Sequence, residues 1–360
     1  MNLSKKLPKK IFRGNLKNML ASLSPVLVVL MALLIGAGLI LIEGHNPIDA
    51  YLSLVKGAFG SKRRISETLV KTTPLLLMGL AVSVAFKNSF WNIGGEGQFI
   101  AGALFATFFA LKFSNLPGLL LGILCFLAGF LGGAFWCVIP GLMKVYFNVN
   151  EVISSLMLNY VALYILRYLI RGPMMYRSPE MVIGQVFPQS ARVPEKLFLP
   201  LLVERTRLHL GLVFVLIILA LVFFLWKTRI GFEIELSGKN IEAAKYAGMK
   251  VNSIIILVTI ISGGLAGLVG WNEIFGVHHR LLDDVTAGYG FLGLVVALLG
   301  DLNPLGIMIS AVLFSALKVG GHAMERATGV SFAVVTVING LVIIFVLIRA
   351  ALQQRIRGEL

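Results

Sequence analysis

Long apolar runs alternate with short polar stretches rich in glycine and proline along almost the whole chain. At roughly 20 residues per crossing, spans are expected at 19–42, 69–86, 99–113, 116–140, 152–170, 210–226, 254–270 and 331–348. Two further apolar runs, 290–300 and 305–317, are split by Asp301-Leu302-Asn303-Pro304 and are each short for a crossing. They are either short, tilted spans or a hairpin that penetrates part-way. Counted as spans, they give an all-α polytopic membrane protein of about ten transmembrane helices. Its two five-helix halves would have opposite orientation, the requirement for an inverted repeat. Gly118/Gly122, Gly129/Gly133 and Gly263/Gly267 stand at the small-xxx-small spacing that lets helices approach closely.

The remaining segments divide the chain further. Residues 1–18 carry Lys5, Lys6, Lys9, Lys10, Arg13 and Lys17 with no acidic residue and read as a cytoplasmic basic tail. No small-x-small cleavage site precedes Glu43, so the first span is expected to stay in place. Residues 19–349 form the transmembrane domain and 350–360 a cytoplasmic C-terminal tail. Within the domain, 43–67 reads as an exposed, turn-rich loop. The longest non-spanning segment, 171–209, contains Pro173, Pro179, Pro188, Pro194 and Pro200 and reads as an extracellular loop with a short surface helix near 196–204. Residues 227–251 read as a cytoplasmic segment and 271–289 as a loop. Lys/Arg totals on the two sides are nearly equal, so orientation rests on the acid-free tail and on the 237–251 segment, which as a docking helix must face ATP.

At 58% hydrophobic and 14% charged residues over 360, the composition excludes a soluble domain, in which about a quarter of residues are charged. The net charge of +15 is scattered among loops and tail, without the basic patch and interleaved aromatics that nucleic acid requires. Cys125 and Cys137 share one apolar segment and imply neither a disulfide framework nor a metal site. There is no phosphate loop: Gly231 and Gly238-Lys239 are wrongly spaced, and Asn240 stands where the magnesium-binding hydroxyl belongs. No nucleophile elbow or H-E-x-x-H helix occurs, so no catalytic residue is expected. His278-His279 with Asp283 and Asp284 reads as a solvated loop rather than a metal site.

Three polar places remain. Residues 237–251 carry Ala243, Ala244 and Ala247 as helix formers, Asn240 to cap the start and Gly248 to end the helix. Ile241, Ala244 and Gly248 would share a side on which a partner's backbone could approach; otherwise the helix lies on lipid headgroups. Residues 87–98 form either an interfacial loop or an unwound, partly re-entrant segment. Its glycines would free backbone groups to face a polar solute, with Glu96 and Gln98 alongside; alternatively these residues cap the third span. Asn159 and Tyr160 either line a path or join helices, and Arg167 snorkels to the interface.

Four stretches together resemble the permeases of the bacterial ABC-importer family for simple sugars and nucleosides, the ribose-type, branched-chain-amino-acid-like permeases. Asn92-Ile93-Gly94-Gly95-Glu96-Gly97-Gln98 is similar to the family's NIGAEGQ signature, with Gly95 for the usual Ala. Asn150-Glu151-Val152-Ile153-Ser154-Ser155-Leu156-Met157-Leu158-Asn159-Tyr160 resembles the nucleoside-type branch, as does Gly288-Tyr289-Gly290-Phe291 running into Val295 and Ala297-Leu298-Leu299-Gly300. Ala243-Ala244 with Tyr246-Ala247-Gly248 is similar to the family's coupling segment, and the resemblance covers about 51–347. It implies a translocation subunit without its own ATPase site, in a bacterial cell membrane. Its partners would be ABC ATPase subunits holding ATP and magnesium, a second permease subunit, and an extracellular solute-binding lipoprotein. It also implies that Gly238, Asn240, Ile241, Glu242, Ala243, Ala244, Tyr246, Ala247 and Gly248 meet the ATPase. For a nucleoside, Phe90, Trp91, Phe99 and Tyr160 would offer flat faces along the path, and Asn92, Gly94, Glu96, Gln98 and Asn159 polar groups. Ribose or another simple sugar is the alternative cargo. An ion-coupled secondary transporter would need charged groups inside the membrane, for which this reading offers Glu96; an enzyme or scaffold lacks a catalytic constellation.

Overall fold

The computed structural model describes residues 25–176 and 187–357. The expected basic tail, the first residues of the first span and part of the 171–209 loop lie outside the described residues. The chain divides into two compact units, one from Met1–Ala58 with Ala316–Leu360 and the other Phe59–Ser315.

In the first unit, α1 (Pro25–Ile42) packs on α13 (Phe332–Arg357). The expected loop 43–67 instead holds α2 (Pro47–Phe59). The Asn46-Pro47 turn signal is a helix start: Asn46 Oδ1 accepts from the Ile48 amide at 3.0 Å and proline occupies the first helical position. Ala50, Leu54, Gly57 and Ala58 form its buried stripe.

The second unit contains α3 (Lys62–Lys87), α4 (Gly95–Lys112), α5 (Gly118–Phe147), α6 (Glu151–Arg171), α7 (Gly211–Leu225), α8 (Arg229–Lys239), α9 (Ile241–Tyr246), α10 (Val251–Glu273), α11 (Tyr289–Leu299) and the first part of α12 (Pro304–Thr328). Its centre is α3, buried along most of its length, with α4, α5 and α10 packed together beside it. Glycine sets that spacing. A Cβ on Gly133 would strike the Gly263 carbonyl and the Gly267 backbone, and one on Gly267 would strike the Gly129 carbonyl. With no hydrophobic force between helices in lipid, such backbone approach is what holds them.

Among the described residues, seven helices are long and apolar enough to cross a membrane, and eight if α7 and α8, bent by 71°, form one span. The count of ten is not reached by that measure. α4 carries Glu96 and Gln98 in its first turn, and α11 has 11 residues.

Two loops take other forms than expected. The 271–289 loop begins as helix: α10 runs to Glu273 and closes in a wide turn, with the His279 amide donating to the Ile274 carbonyl at 2.7 Å. Within 187–209, the expected surface helix near 196–204 is one short turn, Glu195–Leu197. That segment is pinned instead to 275–281, through the Ser190 amide on the Leu281 carbonyl at 3.1 Å and the Leu199 amide on the Phe275 carbonyl at 3.0 Å. Arg167 does more than snorkel: its Nε donates to Asp283 Oδ1 at 2.8 Å, and Arg171 Nη2 to Oδ2 at 3.0 Å.

Two outcomes are expected. Gly267→Val should cost about 1–3 kcal/mol through overpacking, lowering the melting temperature in detergent, whereas Gly38→Ala, whose added Cβ meets nothing within 4 Å, should leave it unchanged. The second concerns pH. The Arg167 hydrogen bond holds the Asp283 carboxyl below the ordinary aspartate value, so its contribution is full above that value and fades as pH falls through the lowered one. The melting difference between wild type and Asp283→Asn should therefore shrink on acidification; a difference that grows toward acid would contradict the pairing.

Candidate functional site

The α3–α4 junction is where the chain stops being helical inside the second unit. α3 ends at Lys87, residues 88–94 are irregular, and α4 starts at Gly95. Asn88, Asn92, Gly94, Glu96 and Gln98 are all buried, so the freed backbone groups need partners within the protein. Asn92 and Gln98 bond each other twice, Nδ2 to Oε1 at 3.0 Å and Nε2 to Oδ1 at 2.7 Å. Asn92 Oδ1 also accepts from the Gly94 amide at 3.0 Å, and its Nδ2 donates to Ser262 Oγ on α10 at 3.2 Å. From α6, Asn159 takes both ends of the turn: Oδ1 accepts from the Gly97 amide at 2.8 Å and Nδ2 donates to the Ile93 carbonyl at 2.9 Å. Ser155 Oγ accepts from the Ile93 amide at 3.2 Å. Beside it, Glu151 accepts from Lys144 at 2.6 Å and from the Trp91 amide at 3.4 Å.

Glu96 points the other way, to the start of α11. Its Oε1 accepts from the Gly290 amide at 2.9 Å, and the Phe291 amide and Thr286 hydroxyl also reach it. The first amides of a helix lack intrahelical partners and carry partial positive charge, so a carboxyl group there is favourable. Here the capping residue lies 194 positions away in sequence. A Cβ at Gly290 would strike Glu96 itself, so only glycine admits the approach.

The same junction seats the 227–251 segment. α8, capped by Thr228 Oγ1 on the Gly231 amide at 3.3 Å, lies against the end of α3. Asn88 Nδ2 donates to the Ile234 carbonyl at 3.1 Å and to Ser237 Oγ at 2.7 Å, and Ser89 Oγ donates to the Gly238 carbonyl at 2.8 Å. Lys87 stands 3.7 Å from Glu235 and 4.5 Å from the centre of the Trp226 ring. Side chains on Glu235, held below the ordinary glutamate value first by Lys239, keep this face ionic. α9 follows, with Asn240 Oδ1 accepting from the Ala243 amide at 2.9 Å as expected.

Its faces differ from the expected ones. Ala244 is fully buried against the chain, while Ile241, Glu242, Ala243, Lys245, Tyr246 and Ala247 are exposed, Tyr246 at 98%. Gly248 has φ +79°, and a Cβ there would meet nothing within 4 Å. It makes the left-handed turn that ends α9 and lies exposed beside the helix.

The expected aromatic faces also separate. Phe90 and Phe99 are fully buried, Trp91 packs on Phe86 at 4.7 Å between ring centroids, and Tyr160 is exposed on α6. Asn88, Ser89 and Ser262 belong to the site but carry no motif signal, whereas Ser155 falls within the Asn150–Tyr160 motif without being singled out. Asn272 and Glu273, expected in a loop, are buried at the end of α10.

The description "branched-chain amino acid transport system / permease component" fits residues 64–348. The chain belongs to this family. It is thus an ABC permease component of the cell membrane, a multi-pass subunit without an ATPase domain that works with a separate ATPase. The glucose ABC transporter permease protein of Haloferax volcanii is 38% identical over 335 residues, covering 90% of this chain and 86% of its own. The guanosine ABC transporter permease protein of Bacillus subtilis is 34% identical over 327 residues, 90% of this chain and 92% of its own. The nucleoside ABC transporter permease protein NupB of Lactococcus lactis is 33% identical over 338 residues, 92% of each chain. No solved structure matches the chain significantly.

Asn159→Leu should destabilise this permease by about 1–3 kcal/mol for each backbone group left buried and unpaired. Tyr160→Leu, one residue on and exposed, should not. Melting of the two purified variants checks the contrast, and equal losses would remove Asn159 from the network.

Proposed function

We propose that the permease moves nucleosides inward, with α9 as the helix that docks on the ATPase partner and the α3–α4 junction as the part that carries its movement into the membrane. The observation that carries this reading is the double seat of residues 87–98: one end bonds α8 through Asn88 and Ser89, the other bonds α6, α10 and α11 through Asn159, Asn92 and Glu96. The docking surface is the exposed side of α9, centred on Ile241 and Tyr246, while Ala244 and Gly248 set the helix's seat and end. Asn92, Gly94, Glu96, Gln98 and Asn159 act as the frame of the moving junction rather than as solute contacts. A second permease subunit completes the pore, and an extracellular solute-binding lipoprotein delivers cargo.

The guanosine and nucleoside relatives support a nucleoside cargo. A simple sugar is the second reading, favoured by the 38% identity to a glucose permease.

The cargo test is uptake of labelled guanosine or adenosine by the reconstituted complex, competed by excess ribose or glucose. Sugar uptake without nucleoside uptake would reject the nucleoside and leave the permease assignment standing. For coupling, Asn88→Ala removes two hydrogen bonds at about 1 kcal/mol each and should cut solute-stimulated ATP hydrolysis by up to about thirtyfold. Tyr246→Ala, the removal of an exposed aromatic anchor, should weaken ATPase capture by a similar factor. Stimulation that survives in an assembled complex carrying both would mean that coupling runs elsewhere.

A further inference from the structure

Glu273 ends α10 about 30 Å, at 1.5 Å per residue, from the Val251 end that adjoins α9. It is 1% exposed, and neither carboxyl oxygen has a hydrogen-bond partner among the described residues. His278 Nε2 stands 3.5 Å from Oε2. Asn272 beside it is fully buried, and both its amide oxygen and its amide nitrogen are likewise unpartnered. Around them sits His209, 1% exposed, whose Nδ1 accepts from the Gly211 amide at 3.1 Å. That bond fixes the neutral tautomer with the proton on Nε2, which has no acceptor among the described residues. Burial holds His209 below the ordinary histidine value, against an opposing pull from Glu273. Gly211 and Gly276 make the assembly possible: a Cβ on Gly211 would strike Asn272 Oδ1, and one on Gly276 the His209 ring. The fully buried Tyr289 ring lies within electrostatic reach of Glu273.

Five buried polar atoms on three neighbouring residues are therefore left open where each would cost about 1–3 kcal/mol if it stayed so. The wide turn over Ile274–His278 interrupts the helix at this point, as such turns often do at functional sites. Two carboxyl acceptors, an amide that both donates and accepts, and an imidazole N–H match vicinal hydroxyl groups, each of which gives one hydrogen bond and takes others. We propose that Asn272, Glu273 and His209 form a subsite for the hydroxyls of a polyhydroxylated solute, the sugar part of the cargo, near the end of the second unit remote from α9. This rests on the cargo reading given above.

The test is uptake kinetics of the reconstituted complex with ribose and guanosine as probes. Glu273→Gln keeps the shape and loses the charge, and it should raise KM about tenfold, the worth of one hydrogen bond to a charged group. Asn272→Ala should raise KM in the same direction. Should either variant fail to insert, Trp271 serves as reporter in a complex whose permease carries Trp91→Phe, Trp136→Phe and Trp226→Phe: its emission should change saturably with solute. Wild-type uptake combined with KM values within about twofold for the variants, or Trp271 emission indifferent to solute, overturns the subsite alone and leaves the cluster to internal water. No uptake of any hydroxylated solute by wild type overturns the cargo reading and the subsite with it.

Discussion

Backbone polar groups buried inside a protein have no water to turn to, and the break between α3 and α4 frees a run of them. Everything distinctive about the second unit follows from how they are satisfied. Asn92 folds the turn on itself and ties it to α10, Asn159 holds both ends of it from α6, and Glu96 leaves it to cap α11. Three helices are thereby tied to one break in the chain and the first turn of the helix that follows it. The motif glycines serve the same end, since Gly97 packs against Asn159 and Leu158, and Gly95 against the Gly290 backbone.

In the proposed coupling such a junction moves as a body. Each hydrogen bond contributes only about 1 kcal/mol net, yet opening one without a replacement exposes the full cost of a buried unpaired group. Local melting is thus disfavoured, while a rigid displacement that keeps every bond is not. A push on α8 acts on Asn88 and Ser89, at the open end of the same stretch. In the proposed coupling, that push passes along the backbone to α4 and, through the Glu96 hydrogen bond, to α11.

The apolar runs and the 92–98 motif were legible because both depend on local composition: hydrophobic length, glycine, and a polar cluster where none is expected. What misled was locally ambiguous. Asn46-Pro47 marks a helix start as readily as a loop, and Pro47–Phe59 is amphipathic enough to be taken for an exposed connection. Asn272 and Glu273 end the apolar run in sequence but not the helix, because burial against His209 and Gly211 is a tertiary fact. The face of α9 was misjudged for the same reason. Small residues permit close packing on either side, and only the fold says that Ala244 uses its smallness inward while Gly248 uses its backbone freedom. Asn88 and Ser89, whose partners lie about 150 positions on, could not be found from spacing at all.

The two buried acids show why an intramembrane carboxyl group is not one kind of evidence. Glu96 sits at a helix N-terminus with amide and hydroxyl donors, so the fold itself explains its burial. An ion-coupling role for it would require those bonds to break in each cycle, taking the cap of α11 with them. Glu273 has no such donors among the described residues and stands next to an amide and an imidazole in the same condition. Structure alone does not require an acid there, since a leucine of similar volume would leave no open oxygen. The acid that no helix terminus needs is therefore the one on which the proposed subsite is built.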